Sequence, residues 1–163
     1  MIRVGIIGGG FGRRVLLPAF RLNKECVVQG LVRSPSKGWD NNAATGTQEN
    51  LPIVFSDWIA MVQSPDIDAV AIAVRPLDQP AIALKALECG KAVFLEKPWG
   101  CPTAESELLY HRAKSSPHAV MMDFEFPELP AFKEAQRLLV NDEIGTLCHI
   151  NVSWQVETRA AKH

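Results

Sequence analysis

The fold of this 163-residue chain is decided near its amino terminus by the stretch Val4-Gly5-Ile6-Ile7-Gly8-Gly9-Gly10-Phe11-Gly12-Arg13. A β-branched run ends in glycines, and an amphipathic stretch over residues 15–22 follows them. A strand, a glycine turn and a helix in this order are typical of a unit that binds a dinucleotide, because the glycines make the turn and let the backbone approach the pyrophosphate. In the template G-x-G-x-x-G the third glycine falls at Arg13, and Gly12 comes one place early. The stretch predicts cofactor contacts from Gly8, Gly10, Phe11, Gly12 and Arg13, the alternative being a glycine turn that binds no ligand.

The alternation of strand and helix continues along the chain to about residue 122. Short, mostly apolar runs predict six strands, at residues 2–7, 26–32, 53–55, 69–74, 92–95 and 119–122. Start and stop signals predict one helix between Pro80 and Gly90 and another from Thr103 toward Lys114, whereas residues 34–51 are expected to form a loop. The pattern predicts an α/β fold with a doubly wound, Rossmann-type parallel sheet.

Composition excludes several classes of function. The chain has 17 basic and 18 acidic residues and a net charge of −1, with neither sign gathered into a block, so nucleic acid is not an expected partner. The four cysteines lie far apart, without a C-x-x-C pair or a metal-ligand spacing, and are expected to be reduced thiols of a cytoplasmic protein without a metal site. No apolar run approaches the ~18 residues of a membrane span.

The end of the second predicted strand bears on the choice of cofactor. An acidic residue at this place holds the ribose 2′-hydroxyl of NAD, but this chain has Arg33, followed by Ser34. A guanidinium can hold a 2′-phosphate through two parallel hydrogen bonds. The sequence therefore predicts that Arg33 and Ser34 contact the cofactor and that NADP(H) is preferred over NAD(H), the alternative being that Arg33 is a solvated loop residue.

Further site residues are expected where the fourth and fifth strands end. Val74 and Arg75 close the fourth strand, and Glu96-Lys97-Pro98 follows the fifth, at the carboxyl edge where open α/β sheets bind ligands. A lysine there can hydrogen-bond the reacting oxygen of a substrate or donate a proton to it. We therefore expect Val74, Arg75, Glu96 and Lys97 to line the cofactor site and Lys97 to be catalytic. The alternatives are a plain surface loop at Lys97 and a solvated Arg75.

The pattern changes after the sixth strand. Residues 130–139 predict a helix, and strict alternation predicts an antiparallel-type strand that places Ile150, Val152, Trp154 and Val156 on one face. A single strand cannot make a sheet, so its apolar face is expected to be covered by a further domain or by the same strand of a second copy. We therefore predict a cofactor domain over residues 1–123, the first helix and strand of an incomplete α/β domain over residues 124–163, and a homo-oligomer formed through the terminal strand.

Three features together resemble the N-terminal half of a Gfo/Idh/MocA family oxidoreductase. They are the opening stretch through Gly12, residues 81–90 leading through Lys91 to Glu96-Lys97-Pro98, and the tail from Pro130-Ala131-Phe132 to Gly145-Thr146-Leu147. The resemblance implies a nucleotide-binding Rossmann domain followed by an α/β domain that covers the active site and commonly forms the oligomer interface.

The same resemblance implies an activity and a division of roles. Family members transfer a hydride between the nicotinamide and a carbon that bears a hydroxyl, usually on a sugar, an inositol or a related polyol. Lys97 would be the active-site lysine, while the usual catalytic histidine belongs to the second domain, so this chain alone would lack a complete site.

The chain also departs from the family pattern. Many relatives have Thr-Pro-Pro and then a histidine where this chain has Val74-Arg75-Pro76 and Gln79, and many have Asn and Arg at Glu125 and Pro127. The motifs and the resemblance together lead us to expect an NADP(H)-dependent oxidoreductase represented by its cofactor half. The alternative is a nucleotide-binding sensor or regulatory module without catalysis.

Overall fold

Six parallel strands form one sheet with the order β3-β2-β1-β4-β5-β6. The computed structural model describes residues 1–32, 52–98, 103–153 and 155 of the chain. The strands are β1 Ile2–Ile7, β2 Cys26–Val32, β3 Ile53–Phe55, β4 Ala69–Ile72, β5 Ala92–Glu96 and β6 Val120–Asp123. The direction of winding reverses at β1, between β2 on one side and β4 on the other. This topology confirms the predicted doubly wound fold.

Helices connect the strands and continue beyond the sheet. They are α1 Leu17–Leu22, preceded by a π-helical turn Gly12–Leu16, then α2 Trp58–Gln63, α3 Gln79–Glu88, α4 Ala104–Ser115 and α5 Pro130–Val140. A 3₁₀ turn Phe126–Glu128 precedes α5. The predicted helices from Pro80, Thr103 and Pro130 are confirmed, whereas the predicted helix over residues 15–22 is divided between two helix types. The predicted loop at residues 34–51 lies outside the described residues.

Neighbouring strands determine where three of the predicted strands end. Strand β4 stops at Ile72 and not at residue 74, because its partner β1 stops at Ile7 and Ile72 pairs with that last residue. Strand β5 continues one residue further than predicted, to Glu96, because β6 reaches Asp123 opposite it. Strand β6 itself is one residue later than predicted at both ends. Pairing register therefore decides these boundaries, which local composition does not encode.

The sheet is buried on both faces, which explains why its strands are apolar along their whole length. Successive residues of a strand point to opposite faces. On one face the core comprises Ile7, Val70, Ile72, Val93 and Leu95 together with Met61, Val62, Ile67, Ile82, Ala83, Ala86 and Leu109, which come largely from α2, α3 and α4. On the other face it comprises Val4, Ile6, Val28, Leu31 and Ala71, with Leu16 and Leu17 from the π turn and α1.

Local hydrogen bonds account for the helix ends. Helix α3 ends with Gly90 at φ 72°, where the Gly90 and Lys91 N–H groups donate to carbonyls of the last helical turn. Helix α4 begins at Thr103, whose hydroxyl accepts from the Ser106 N–H at 3.2 Å. Helix α2 was not predicted. Its start nevertheless carries a similar signal, since the Asp57 carboxylate accepts a hydrogen bond from the Ala60 N–H at 2.9 Å.

The chain divides into two compact units, Met1–Phe124 and Glu125–His163. In the second unit, the Phe126 and Phe132 rings stack with centroids 5.9 Å apart. The strand expected from residue 149 onward is not formed over residues 149–153, and Ile150 is 65% exposed. Trp154 and Val156 lie outside the described residues. The expectation of a strand was wrong over residues 149–153 because alternation supplies an apolar face but not the neighbouring strand that a ladder of hydrogen bonds requires.

Charged side chains connect three strands at the amino-terminal edge of the sheet. The Arg3 guanidinium on β1 donates to both carboxylate oxygens of Asp68, at 2.7 and 3.0 Å, and holds the pKa of that carboxyl down at about 2. Lys91, just before β5, is only 8% exposed, and its amine donates to the Ser64 and Ile67 carbonyls at 2.8 and 2.7 Å. Those carbonyls follow α2, so a buried ammonium fixes the connection between α2 and β4.

Replacing Lys91 by alanine is expected to destabilise the chain by about 2 kcal/mol, because two carbonyls lose the donor that satisfies them in a buried position. The matched control is Lys85→Ala, which removes an exposed ion pair with Glu88 and is expected to cost below about 0.5 kcal/mol. Urea denaturation followed by circular dichroism measures both. Equal midpoints for the two variants would contradict this role of Lys91.

Candidate functional site

The glycine turn after β1 is pressed against the end of β4. Gly8 has φ 143°, and a Cβ placed on it would lie 2.3 Å from the Ala73 carbonyl oxygen. The Ala73 N–H donates to the Ile7 carbonyl at 2.8 Å, which holds the two chain segments together just beyond the last paired residues. Both the positive φ and the missing space exclude every residue except glycine at this position.

Gly10, by contrast, faces open space. A Cβ built on it meets no atom within 4 Å, and both Gly10 and Phe11 are exposed. The chain becomes helical here, since the Arg14 N–H donates to the Gly10 carbonyl at 3.1 Å. The N–H groups of a first helical turn have no partner within the helix and favour an anion. The turn therefore fits a pyrophosphate, which the backbone can approach only where no side chain intervenes.

Gly12 performs the packing role expected of the third glycine. It is buried, and its Cβ would lie 3.1 Å from Ile6 Cγ2 and 3.3 Å from the Ala73 Cβ, so the absence of a side chain lets the helix lie close to the sheet. The Leu17 N–H donates to the Gly12 carbonyl, five residues earlier, which places one more residue in this turn than an α-helix has. Arg13, at the template position of the third glycine, is half-buried.

The loop between β4 and α3 lies beside the glycine turn because β4 pairs directly with β1. Its Arg75 is 84% exposed and donates to the Asp78 carboxylate at 2.8 Å, and this ion pair raises the pKa of the guanidinium. The Asp78 N–H closes a turn on the Arg75 carbonyl at 2.9 Å. Gln79, at the start of α3, is 2% exposed, and its amide donates to the Val74 carbonyl at 3.3 Å. Residues 74–79 are therefore held by a compact set of hydrogen bonds.

Strand β5 brings Glu96 and Lys97 to the same edge of the sheet. Glu96 is the last residue of the strand, is 6% exposed and pairs in register with Asp123 of β6. Lys97 follows it, is exposed, and is joined to Pro98 by a cis peptide bond. An exposed ammonium at the carboxyl edge of a parallel sheet can hydrogen-bond a ligand oxygen.

The predicted site residues thus fall into three groups. The glycine turn follows β1, the segment Val74–Arg75 lies just beyond the neighbouring strand β4, and Glu96 with Lys97 lies at the end of β5, the next strand. Arg33 and Ser34 lie outside the described residues, so their role stays a prediction. The prediction named Gln79 only as a departure from the family pattern, although a glutamine at a helix start among apolar neighbours was a signal for a buried hydrogen bond.

The described part of the chain contains neither a metal-binding group of side chains nor a helix that could span a membrane. There, no three His, Cys, Asp or Glu side chains are grouped so that they could hold a metal ion. Among the same residues, no helix has both the length and the apolar character that crossing a membrane requires.

Comparison with known proteins identifies relatives along the chain. The model of the Gfo/Idh/MocA oxidoreductase family, with an NAD-binding Rossmann fold, matches residues 2–124. An uncharacterized oxidoreductase of Synechocystis sp. is 31% identical over 98% of this chain and 42% of its own. A scyllo-inositol 2-dehydrogenase (NADP(+)) of Bacillus subtilis is 32% identical over 66% of this chain and 32% of its own.

A solved structure has the same fold. The apo scyllo-inositol dehydrogenase of Lactobacillus casei superposes with a TM-score of 0.75 and 25% identity over 89% of this chain and 43% of its own. The chain thus spans less than half the length of each of these relatives. The family match includes the glycine turn and all six strands, and from it we conclude that this chain belongs to the Gfo/Idh/MocA family of oxidoreductases.

Proposed function

We propose that this chain is the cofactor half of an NADP(H)-dependent oxidoreductase that transfers a hydride to or from a hydroxyl-bearing carbon of a sugar, an inositol or a related polyol. The observation that carries the proposal is the glycine turn, in which Gly8 abuts Ala73 while Gly10 faces open space at a helix start. The relative from Bacillus subtilis, whose name specifies both an inositol and NADP(+), supports the choice of substrate class and cofactor.

The chain's own residues divide the binding of the cofactor between two sides of the glycine turn. The backbone of Gly10 and Phe11 would meet the pyrophosphate, and Arg33 with Ser34 would hold the 2′-phosphate at the end of β2. The nicotinamide half would extend over the ends of β4 and β5, toward Val74, Arg75 and Glu96. The cofactor would donate or accept the hydride, and the protein would supply orientation and charge.

Lys97 is assigned to the substrate oxygen. Its position after β5 places an exposed ammonium at the edge to which the nicotinamide half is assigned. There it would hydrogen-bond the oxygen that gains or loses a proton during hydride transfer. The histidine expected from the family resemblance would come from the second domain.

We also propose that residues 124–163 begin that second domain. The division of the chain after Phe124 supports this boundary. Apolar side chains of this segment are exposed, among them Phe132, Leu139, Ile150 and Val152. Such side chains favour burial against the rest of a domain or against a second copy, as a cytoplasmic homo-oligomer would provide.

Titration of the purified chain with NADPH and NADH, followed by nicotinamide fluorescence, tests the choice of cofactor. NADPH is expected to bind about tenfold or more tightly than NADH, because a charge-assisted hydrogen bond contributes roughly 1.5–3 kcal/mol. Arg33→Ala should remove this difference by weakening NADPH alone, while Arg112→Ala on α4 serves as the matched control. Equal affinities for both nucleotides in the unmodified chain would refute the preference.

Gly10→Ala separates the ligand site from the fold. The added methyl group meets no protein atom, so the melting temperature is expected to stay within about 2 °C of the unmodified chain. NADPH affinity should fall by roughly tenfold or more, because the methyl occupies the space that the pyrophosphate needs. Differential scanning fluorimetry and the same fluorescence titration measure the two effects. Unchanged affinity would place the pyrophosphate elsewhere.

Lys97→Ala tests catalysis in the enzyme that contains both domains. Turnover is expected to fall by about 100-fold or more because the substrate oxygen loses its proton donor, while NADPH affinity stays within about twofold. Lys114→Ala, near the end of α4, is the matched control for loss of an exposed ammonium. Steady-state kinetics with a polyol series measures the effect. Unchanged turnover would remove Lys97 from the mechanism and favour a nucleotide-binding module.

A further inference from the structure

Gln79 is a buried polar side chain at the carboxyl edge of the sheet. It is 2% exposed, and its Nε2 donates to the Val74 carbonyl at 3.3 Å. Burying an amide is unfavourable unless hydrogen bonds replace its contacts with water. The buried Gln79 amide therefore has the Val74 carbonyl as its hydrogen-bond acceptor.

The hydrogen bond fixes the orientation of one peptide unit. In a trans peptide the carbonyl and the following N–H point in opposite directions. Because the Val74 carbonyl is directed toward the buried Gln79 amide, the N–H of Arg75 is directed away from it. The rest of the loop is held separately, by the Asp78 N–H on the Arg75 carbonyl and by the ion pair between Arg75 and Asp78. Gln79 is thus the buried group that decides which way the Val74–Arg75 peptide faces.

This peptide lies next to the glycine turn. Ala73, the residue before Val74, is the one whose carbonyl lies 2.3 Å from a Cβ built on Gly8. A dinucleotide lies across the point where the strand order reverses, with its adenosine half over the β2 side. The other half, which carries the nicotinamide, then passes over the end of β4 and over the peptide that Gln79 orients.

We propose that Gln79 is a positioning residue for the nicotinamide half of the bound cofactor, acting through the Val74–Arg75 peptide. The inference rests on the proposed function, because it requires that the glycine turn bind a dinucleotide. It assigns to Gln79 a role in binding one half of the cofactor only. The adenosine half, on the far side of the glycine turn, does not depend on it.

Two ligands distinguish this role from a merely structural one. The full chain is titrated with NADPH, which carries both halves, and with adenosine 2′,5′-bisphosphate, which lacks the nicotinamide half. Gln79→Met keeps the length of the side chain and removes the donor, and Gln79→Glu keeps the shape but turns an acceptor toward the carbonyl. The matched control is Gln63→Met, the same change at an exposed position of α2. Calorimetric titration gives each affinity, and a thermal melt verifies folding.

Both Gln79 variants are expected to bind NADPH about tenfold more weakly than the unmodified chain, and adenosine 2′,5′-bisphosphate within about twofold of it. Gln63→Met should match the unmodified chain with both ligands. If Gln79→Met and Gln79→Glu bind NADPH normally, or lose both ligands equally, the positioning role is overturned while the proposed function stands. If the unmodified chain binds neither ligand, the proposed function itself fails, and the inference fails with it.

Discussion

The close approach of the ends of β1 and β4 is the constraint on which the rest of this structure depends. At Gly8 the backbone turns with a positive φ, directly against the Ala73 carbonyl, where no side chain fits. The hydrogen bond from Ala73 to Ile7 extends the pairing of the two strands into this turn. Because the turn and the β4–α3 loop are held side by side, a ligand bound at this edge of the sheet could contact both.

The two edges of the sheet have different chemistry. At the amino-terminal edge, Arg3, Asp68 and Lys91 satisfy one another or nearby carbonyls, so the charged groups there stabilise the fold. At the carboxyl-terminal edge, by contrast, Gly10 and Lys97 are exposed. Under the proposed function, stability and ligand binding would thus depend on opposite ends of the same strands. Changes at one edge affect the other only through the packed core between them.

Much of the fold could be predicted from the sequence because strands buried on both faces are apolar throughout. All six strands were located in this way. The bounds of β1, β2 and β3 were also predicted, whereas those of β4, β5 and β6 were not, since the end of β4, for example, depends on where β1 stops. The unpredicted α2 shows that a helix of six residues lacks enough periodicity to be recognised, even though Asp57 marks its start. At residues 149–153 the failure has the opposite cause, because a strong alternation was present without a neighbouring strand.

The site could be predicted where its chemistry depends on the backbone. Glycines at positions 8, 10 and 12 predict a turn and a close approach of the backbone to its neighbours. In the structure, Gly8 lies against the Ala73 carbonyl, Gly10 faces open space, and Gly12 lies close to Ile6. The importance of Gln79 could not be predicted, because its role depends on a hydrogen bond to Val74 that forms only when α3 packs on the sheet. Side chains that act through another residue leave no spacing pattern in the sequence.

The π-helical turn at Gly12–Leu16 bears on how such chains evolve and are aligned. A turn that contains one additional residue can lose it and relax to α geometry while the residues on both sides keep their places against the sheet. This βα unit can therefore change its length by one residue without altering the register of its core. Alignments that require constant spacing between the glycines and the helix will misplace a gap here. The small residue that packs against β1 should be matched by its rotational position on the helix, not by its number in the motif.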